Sequence, residues 1–442
     1  MTASSPPKTV VIVGLSGAGL KALNLLAKEL YSSSLKSPGL PESNVRVIGI
    51  EKSSYAFWPP GALRAAVVGG FEDQIISSLD HIVPSQIKKG KPDLVRVATG
   101  VEVTEVDFKS RSLFLAGSLD GIKEVVSLDG GKQKLSYDYL VIATGSSYAF
   151  PCRPPPDATD QESLKHKFQN LQKNIHDSDS ILIVGGGVVG IELAGEVSYR
   201  YKDKKVHLVC STPRLVPEYS ACLSKSLTSQ LLDRGVKIFF NRRADLTQLG
   251  IKETTNLVQK TNVELNSHDE NDIEKVEVEV DFVFLATGNK PNTGFIPKEC
   301  LNPKTNQLKV NSNLQVVIKD DSSEQEKPIE GVYGIGDVIE SKDSKMYAAL
   351  DNQAKDLTKN MLIDINKNQD QPDSTSKGSK RGVKKVDHKP FLNTIVIPLG
   401  PSGGGSQLFG FTFGLGGLAT SILKGKTLFV QMFKSMYPDK DQ

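Results

Sequence analysis

The chain has 442 residues, enough for two or three domains with cores of their own. Its formal net charge is +3, too small to argue for nucleic acid or for an acidic substrate. The four cysteines, Cys152, Cys210, Cys222 and Cys300, are scattered without a C-x-x-C, and the six histidines add no ligand spacing, so neither a disulfide framework nor a metal site is expected.

The opening MTASSPPK has no apolar h-region, no arginine-rich amphipathic pattern and no glycine at position two. A secretory signal, a transit peptide and a myristoylation site are therefore not expected. No run reaches the roughly 18–20 apolar residues of a spanning helix. These features predict a protein of the cytoplasm, not a secreted one.

Residues 10–13, VVIV, read as a strand buried on both faces of a parallel sheet. The chain then turns through Gly14, Ser16, Gly17, Ala18 and Gly19 into an Ala/Leu/Lys-rich helical pattern. Strand, Gly-rich turn and helix together set a pyrophosphate against a helix N-terminus, where unpaired N–H groups and the macrodipole favour negative charge. A side chain at Gly14 would obstruct the turn, one at Gly17 would block the phosphate, and one at Gly19 would hold the helix off the strand. Ser16 can add a hydroxyl donor. A Ser/Pro/Gly-rich loop over 31–44 precedes a second strand over 45–50, which ends at Glu51, placed to accept from a ribose hydroxyl. Residues 57–61, FWPPG, force an irregular loop before Arg64 opens a helical pattern. Residues 94–106 alternate as a half-buried strand, and 112–128 read as a hairpin turning at Asp120-Gly121.

Residues 137–145, YDYLVIATG, form a buried strand that delivers Ala143, Thr144 and Gly145 to its end, where small residues let backbone approach a ligand. The Pro-rich 151–156 is a crossing between domains. Residues 181–195 repeat the strand, Gly-rich turn and helix, with a full G-x-G-x-x-G at Gly185, Gly187 and Gly190. Two such units about 170 residues apart imply two dinucleotide sites, one cofactor held and the other visiting. A helix over 224–234 and a strand over 237–240 follow. Cys210 stands twenty positions after Gly190, where an NAD-selective protein carries an acid. With Ser211, Thr212 and Arg214 beside it, NADPH should be accepted as well as NADH.

Residues 281–288, DFVFLATG, repeat the Ala-Thr-Gly and end at Gly288. Residues 332–337, VYGIGD, end at Gly336-Asp337, and Lys345-Met346 lead into a helix over 348–363. Residues 364–389 are polar and predict a disordered insertion. A strand over 391–399 precedes a Gly-rich apolar stretch over 403–423. In the closing segment Leu428, Met432 and Met436 recur every four residues beside Phe429 and Phe433, with Lys424, Lys426 and Lys434 alongside. That is the pattern of an interfacial helix, and equally of a helix packed on its own core.

In this order the motifs resemble the glutathione-reductase-like flavoprotein reductases over the chain up to about residue 363. The fold this implies is α/β: two Rossmann-type dinucleotide-binding domains with a small C-terminal α+β region. Residues 1–150 would be the first part of an FAD domain, 151–280 an NAD(P)H domain, 281–363 the second part of the FAD domain, 364–389 the insertion and 390–442 the C-terminal region. The redox cysteine pair of the disulfide reductases is missing. The passages GALRAAVVGGFED, KMYAALDNQA and KGKTLFVQMFKSM are similar to the branch of apoptosis-inducing-factor-like and ferroptosis-suppressor proteins, related to type II NADH dehydrogenases.

The resemblance implies tight, non-covalent FAD held by Gly14, Ser16, Gly17, Ala18, Gly19, Glu51, Lys52, Arg64, Ala143, Thr144, Gly145, Gly336 and Asp337. It implies NADPH or NADH at Gly185, Gly187, Gly190, Glu192 and Gly288, with Ser211 and Arg214 at the 2′ position. Two residues would be catalytic: Lys345, adding positive charge beside an anionic reduced flavin, and Glu192, close to the cofactor. The activity implied is hydride transfer from NAD(P)H to FAD and electron transfer on to a small acceptor of the quinone type. No nucleic-acid partner is expected. The C-terminal region would touch a membrane or lipid-droplet surface peripherally. The alternative within the same branch is a flavoprotein acting mainly as a redox-gated binding protein. A flavin monooxygenase would want a fingerprint between the domains that is not found.

Overall fold

The computed structural model describes residues 6–31, 45–79, 95–251, 255–267, 274–319, 325–344, 346–367, 384–412 and 417–437. The chain divides into two compact units, each assembled from three separate segments. The first comprises Met1–Ser54, Ile82–Ser147 and Lys290–Phe391; the second comprises Tyr55–His81, Tyr148–Asn289 and Leu392–Gln442. The sequence-based boundaries had set residues 55–81 with the first unit and the C-terminal region apart from both.

In the first unit a six-stranded sheet runs in the order Gln315–Lys319, Glu326–Gly334, Tyr139–Ile142, Lys8–Val13, Val45–Glu51, Val95–Thr99. All neighbours are parallel except at the Gln315–Lys319 edge. In the central strand the VVIV of residues 10–13 is buried, as a strand covered on both faces must be. Val13 pairs with Ile50 on one side and Ile142 on the other. Gly14, Glu51 and Ala143 therefore leave the sheet together at its carboxyl edge. The chain proceeds to one side after Lys8–Val13 and returns on the other with Tyr139–Ile142. This reversal is the switch point at which open α/β sheets bind ligands.

This unit also has a four-stranded antiparallel sheet, Val101–Asp107, Ser112–Gly117, Lys132–Ser136 and Val126–Asp129, and a short antiparallel pair, Ser146–Ser147 with Lys290–Pro291. The four-stranded sheet corrects the expected hairpin. Ser112–Gly117 pairs with Val101–Asp107 and Lys132–Ser136, and the tight turn falls at Gly130-Gly131 instead of Asp120-Gly121. Both Gly130 and Gly131 have positive φ, +56° and +82°, which a two-residue hairpin turn requires.

In the second unit the sheet order is Lys237–Phe239, Lys205–Val209, Ser180–Val184, Val276–Leu285, Thr255–Ser267, Arg242–Ala244. Its first four strands are parallel. Val184 pairs with Val209 and Leu285, so Gly185, Cys210 and Ala286 share one edge, repeating the first unit's design. The helix Val188–Arg200 packs so closely on the C-terminal segment that a Cβ at Gly195 would lie 2.6 Å from Leu399 Cα. The C-terminal sheet is Ile395–Pro398, Gly404–Leu408 and Phe411–Thr412, shorter at its first strand than the expected 391–399.

The polar segment 364–389 is also ordered at both ends. Residues 364–367 close the helix Tyr347–Lys367, where Asp364 meets Lys385 Nζ at 2.6 Å. Val386 N donates to Asn360 at 2.7 Å. The rest of the expected insertion, 368–383, lies outside the described residues, as do loop residues 32–44 and Lys345.

Candidate functional site: two dinucleotide turns

Each Gly-rich turn is shaped by backbone pressed against backbone. A Cβ at Gly19 would stand 1.7 Å from Gly14 O, and one at Gly190 would stand 2.0 Å from Gly185 O. A Cβ at Gly14 would meet Ala143 O at 2.6 Å, and at Gly185 it would meet Ala286 O at 2.8 Å. Gly14 and Gly185 also have φ of +89° and +127°, closed to other residues at little cost. Each Ala-Thr-Gly thus lies directly against its own glycine turn.

In the first unit the structure brings together Gly14, Ser16, Gly17, Ala18, Gly19, Glu51, Ala143, Thr144, Gly145, Gly336 and Asp337. Glu51 Oε2 accepts from Leu15 N at 2.6 Å, and Oε1 accepts from Ser53 N at 3.0 Å. Burial pushes the Glu51 carboxyl up from its ordinary value against these donors. Gly145 has open space on its side-chain face and φ +65°. Asn292 fixes Thr144 in both directions: Thr144 Oγ1 donates to Asn292 O and Asn292 Nδ2 donates to Thr144 O, each at 2.8 Å. Asp337 Oδ2 accepts from Ser146 Oγ at 3.3 Å. Tyr347, from the helix Tyr347–Lys367, covers Gly17, where a Cβ would stand 2.8 Å from its ring. Lys52 is exposed and pairs with Glu102 at 2.7 Å.

Arg64 belongs to the second unit. It is buried, with Nε 2.6 Å from Glu196 Oε2 and Nη2 donating to Gly425 O at 2.8 Å.

In the second unit Gly185, Gly187, Gly190, Glu192 and Gly288 gather at one sheet edge. The side-chain faces of Gly187 and Gly288 are open. Cys210 is buried under Gly186, whose Cβ would stand 2.4 Å from its Sγ. Ser211 is exposed. Arg214 Nη2 donates to Pro217 O at 2.6 Å, while its Nη1 has no hydrogen-bond partner. Glu192 is buried in the helix Val188–Arg200, its Oε1 2.7 Å from Lys424 Nζ. Burial raises the Glu192 carboxyl; Lys424 opposes this and Glu196 adds to it.

Sequence reasoning missed this partner and took Lys424 as a cation facing out beside an apolar stripe. Lys424 is only 15% exposed and points inward from a π-helical turn, Ser421–Gly425. Of the two readings of the stripe, packing on the protein's own core holds at Leu428 and Phe433, while Phe429, Met432 and Met436 are half-buried. Trp58 Nε1 donates to Leu428 O at 2.7 Å, Trp58 stacks on Phe433 at 5.6 Å, and Leu428, Val430, Phe433 and Tyr437 are buried. Among the described residues of the C-terminal segment, Leu392, Phe409, Phe411, Leu418, Ile422 and Leu423 expose apolar side chains. Phe413 and Leu415 lie outside the described residues. Among the described residues no helix is long and apolar enough to cross a membrane, and no cluster of His, Cys, Asp and Glu could hold a metal ion.

Two glycine turns, each at the switch edge of a parallel sheet and each backed by its own Ala-Thr-Gly, are the arrangement of a two-dinucleotide flavoprotein oxidoreductase. The chain belongs to the pyridine nucleotide-disulphide oxidoreductase family, which it matches over residues 8–361. It is an NAD(P)H-dependent oxidoreductase with FAD as cofactor. It is 26% identical to apoptosis-inducing factor homolog B of Dictyostelium discoideum over 98% of this chain and 97% of that one. It is 27% identical to ferroptosis suppressor protein 1 of Taeniopygia guttata over 84% of this chain and 83% of that one. Its fold is similar to that of the sulfide:quinone oxidoreductase of Aquifex aeolicus, with a TM-score of 0.63 at 15% identity, covering 97% of this chain and 91% of that one. These likenesses agree with the expected fold class, branch and cofactors.

Proposed function

We propose that the protein passes electrons from NADPH or NADH through FAD to a small acceptor of the quinone class. The observation that carries this reading is the pair of glycine turns joined in one chain to a C-terminal segment that exposes apolar side chains. The quinone named for the Aquifex aeolicus neighbour supports the acceptor class.

FAD, when bound, supplies the two-electron chemistry between nicotinamide and acceptor. The residues of this chain bind, orient and hold charge. The glycine turn at the start of the helix Gly17–Tyr31 suits a pyrophosphate, which the helix N-terminus favours electrostatically. The Glu51 carboxylate, aimed by two backbone amides, suits a ribose hydroxyl. Asp337, beside Gly145 through Ser146, closes the same edge. Gly187 and Gly288 leave room for the nicotinamide nucleotide, and the half-buried Arg214 supplies a positive charge of the kind a 2′-phosphate seeks. Glu192 and Lys424 form a buried pair that can hold a proton next to that turn. Lys345 would add positive charge at the start of the helix Tyr347–Lys367.

A steady-state panel of acceptors with purified, FAD-loaded protein tests the reading. Short- and long-chain quinones should turn over with either nicotinamide. Turnover with ferricyanide or oxygen alone would remove the quinone assignment.

A further inference from the structure

A cluster in the first unit reaches the Gly336-Asp337 turn from its far side. His388 has a side chain only 5% exposed, and both ring nitrogens meet carboxylates. Nδ1 lies 2.9 Å from Asp356 Oδ2 on the helix Tyr347–Lys367, and Nε2 lies 3.0 Å from Asp343 Oδ2 in the loop before it. Only the imidazolium has a proton to donate at each nitrogen. The two carboxylates outweigh burial, which alone would lower it, and raise His388 above its ordinary value.

Asp343 is the hub of the cluster. Its Oδ2 also accepts from Ser341 Oγ at 2.6 Å and Gln353 Nε2 at 2.7 Å, and its Oδ1 accepts from Phe391 N at 2.6 Å. Burial would raise this carboxyl; the donors, His388 foremost, hold it at about 2. Gln353 is buried and uses its other end on the turn, Oε1 accepting from Gly336 N at 2.7 Å. Gly336 has φ +82°, and a Cβ there would stand 3.0 Å from Ala18 Cβ, so the turn rests on the start of the first glycine-turn helix.

We propose that His388 is a positioning residue for FAD. Its imidazolium holds Asp343, Asp343 orients Gln353, and Gln353 fixes the Gly336-Asp337 turn against Ala18, so that FAD retention is coupled to the protonation of His388. This rests on the reading of Asp337 as a flavin-side residue.

The charged groups facing His388 are Asp343 and Asp356. On its own segment Asp387 is taken by Ser312 and Asn313, Lys385 is taken by Asp364, and Lys384 and Lys389 are exposed. On the neighbouring elements Glu340 bonds Asn302, while Lys342, Lys355 and Lys359 are exposed. Because the folded value of His388 is raised, both bonds are complete below the ordinary 6.5 and are lost as pH rises through the raised value. The neutral ring then presents a lone pair to one carboxylate, and the hub loosens.

The experiment follows FAD release from the holoprotein by the rise in flavin fluorescence on dilution, between about pH 6 and pH 10. Wild-type release should accelerate roughly tenfold across that span, the loss of one charged hydrogen bond. His388→Gln should release FAD fast and with little pH dependence. Asp356→Asn removes one of the two carboxylates and should move the wild-type midpoint to lower pH; it carries the test if His388→Gln does not fold. Asp337→Ala should release FAD fast at every pH. A His388→Gln protein with the wild-type rate and profile, or an Asp356→Asn protein with an unmoved midpoint, overturns the proposal while Asp337→Ala still releases FAD. An Asp337→Ala protein that keeps its FAD overturns the flavin-side reading, and the proposal with it.

Discussion

Lys424 Nζ lies 2.7 Å from Glu192 Oε1, joining the C-terminal π-helical turn to the helix behind the second glycine turn. The next turn of that helix is held to the same segment by Arg64, which donates to Glu196 and to Gly425 O. Two cations and two carboxylates are thus buried side by side in one unit. Breaking such a pair from one side leaves a charge without its partner, which costs about 3–5 kcal/mol. Lys424→Ala should destabilise the protein by roughly 3 kcal/mol in urea unfolding. The double variant Lys424→Met/Glu192→Gln should recover most of that loss, because no lone charge remains. A single variant as stable as wild type would show that water already solvates Glu192.

His207 predicts an acid-side loss of stability. It is 6% exposed on the strand Lys205–Val209, and its Nδ1 has no hydrogen-bond partner. Burial lowers it from 6.5 to about 4, with Lys237 and Lys205 adding to the shift. A lowered folded value means that its contribution is present above 6.5 and is lost as pH falls through 4. The full effect is ~3 kcal/mol. His207→Leu should flatten the stability profile between those two values, measured by denaturant midpoints at each pH. An unchanged slope would assign the acid loss to other groups.

The cysteines should take no part in turnover. Cys152, Cys210 and Cys300 are buried, and burial pushes each thiol up to about 12. Thiolate is the reactive form, so at neutral pH these residues are inert. Replacing the three by Ala should leave the kcat for NAD(P)H oxidation within a few-fold, provided FAD content is unchanged. Loss of turnover with full FAD would identify a cysteine in the reaction.

Nicotinamide preference tests Arg214. No carboxylate stands at Cys210 to repel a 2′-phosphate, and the half-buried Arg214 stands four positions on. Arg214→Ala should raise KM for NADPH about tenfold, the worth of one charge-assisted contact, with little change for NADH. Equal changes for both would place Arg214 away from the 2′ position.

Both glycine turns and their Ala-Thr-Gly partners were legible in the sequence because backbone exclusion fixes them. At Gly14, Gly19, Gly185 and Gly190 a single Cβ collides with a carbonyl, and only one residue type answers that. Long-range charge pairing leaves no such trace. Glu192 and Lys424 are 232 positions apart, and His388 and Asp343 are 45 apart. Nothing periodic links them, so Lys424 read as a surface cation and His388 went unremarked. The closing stripe had two readings that spacing alone does not separate. Trp58, hundreds of positions earlier, supplies the apolar partner that packs Leu428 and Phe433 on the protein's own core. The signal at Asp120-Gly121 was a sound turn dipeptide in the wrong place, since Gly130-Gly131 answers the hairpin twist.

The fold leaves a group of apolar side chains uncovered in the C-terminal segment. Phe411 is 76% exposed, and Phe409, Leu418, Ile422 and Leu423 share the same C-terminal segment. Ile422 and Leu423 sit on the π-helical turn whose Lys424 is drawn inward, so that turn gives its charge to the protein and its carbon to the solvent. Lys426 and Lys434 remain exposed on the same segment. Apolar side chains flanked by cations suit an anionic lipid surface, where a long-chain quinone would be dissolved. Truncating this segment is the wrong test, because its removal also uncovers Trp58 and leaves Glu192 alone. Replacing Phe411, Leu418, Ile422 and Leu423 by Ser touches little of the core and should leave FAD content and unfolding midpoint as in wild type. Flotation with anionic liposomes and reduction of a long-chain quinone in those liposomes should both fall, while reduction of a water-soluble quinone is kept. Such binding is weak and reversible, since a short apolar patch without an acyl chain is a modest anchor, and raised salt should weaken it further. If the fourfold variant floats and reduces long-chain quinone like wild type, the patch serves neither purpose and the lipid-side reading of the acceptor falls.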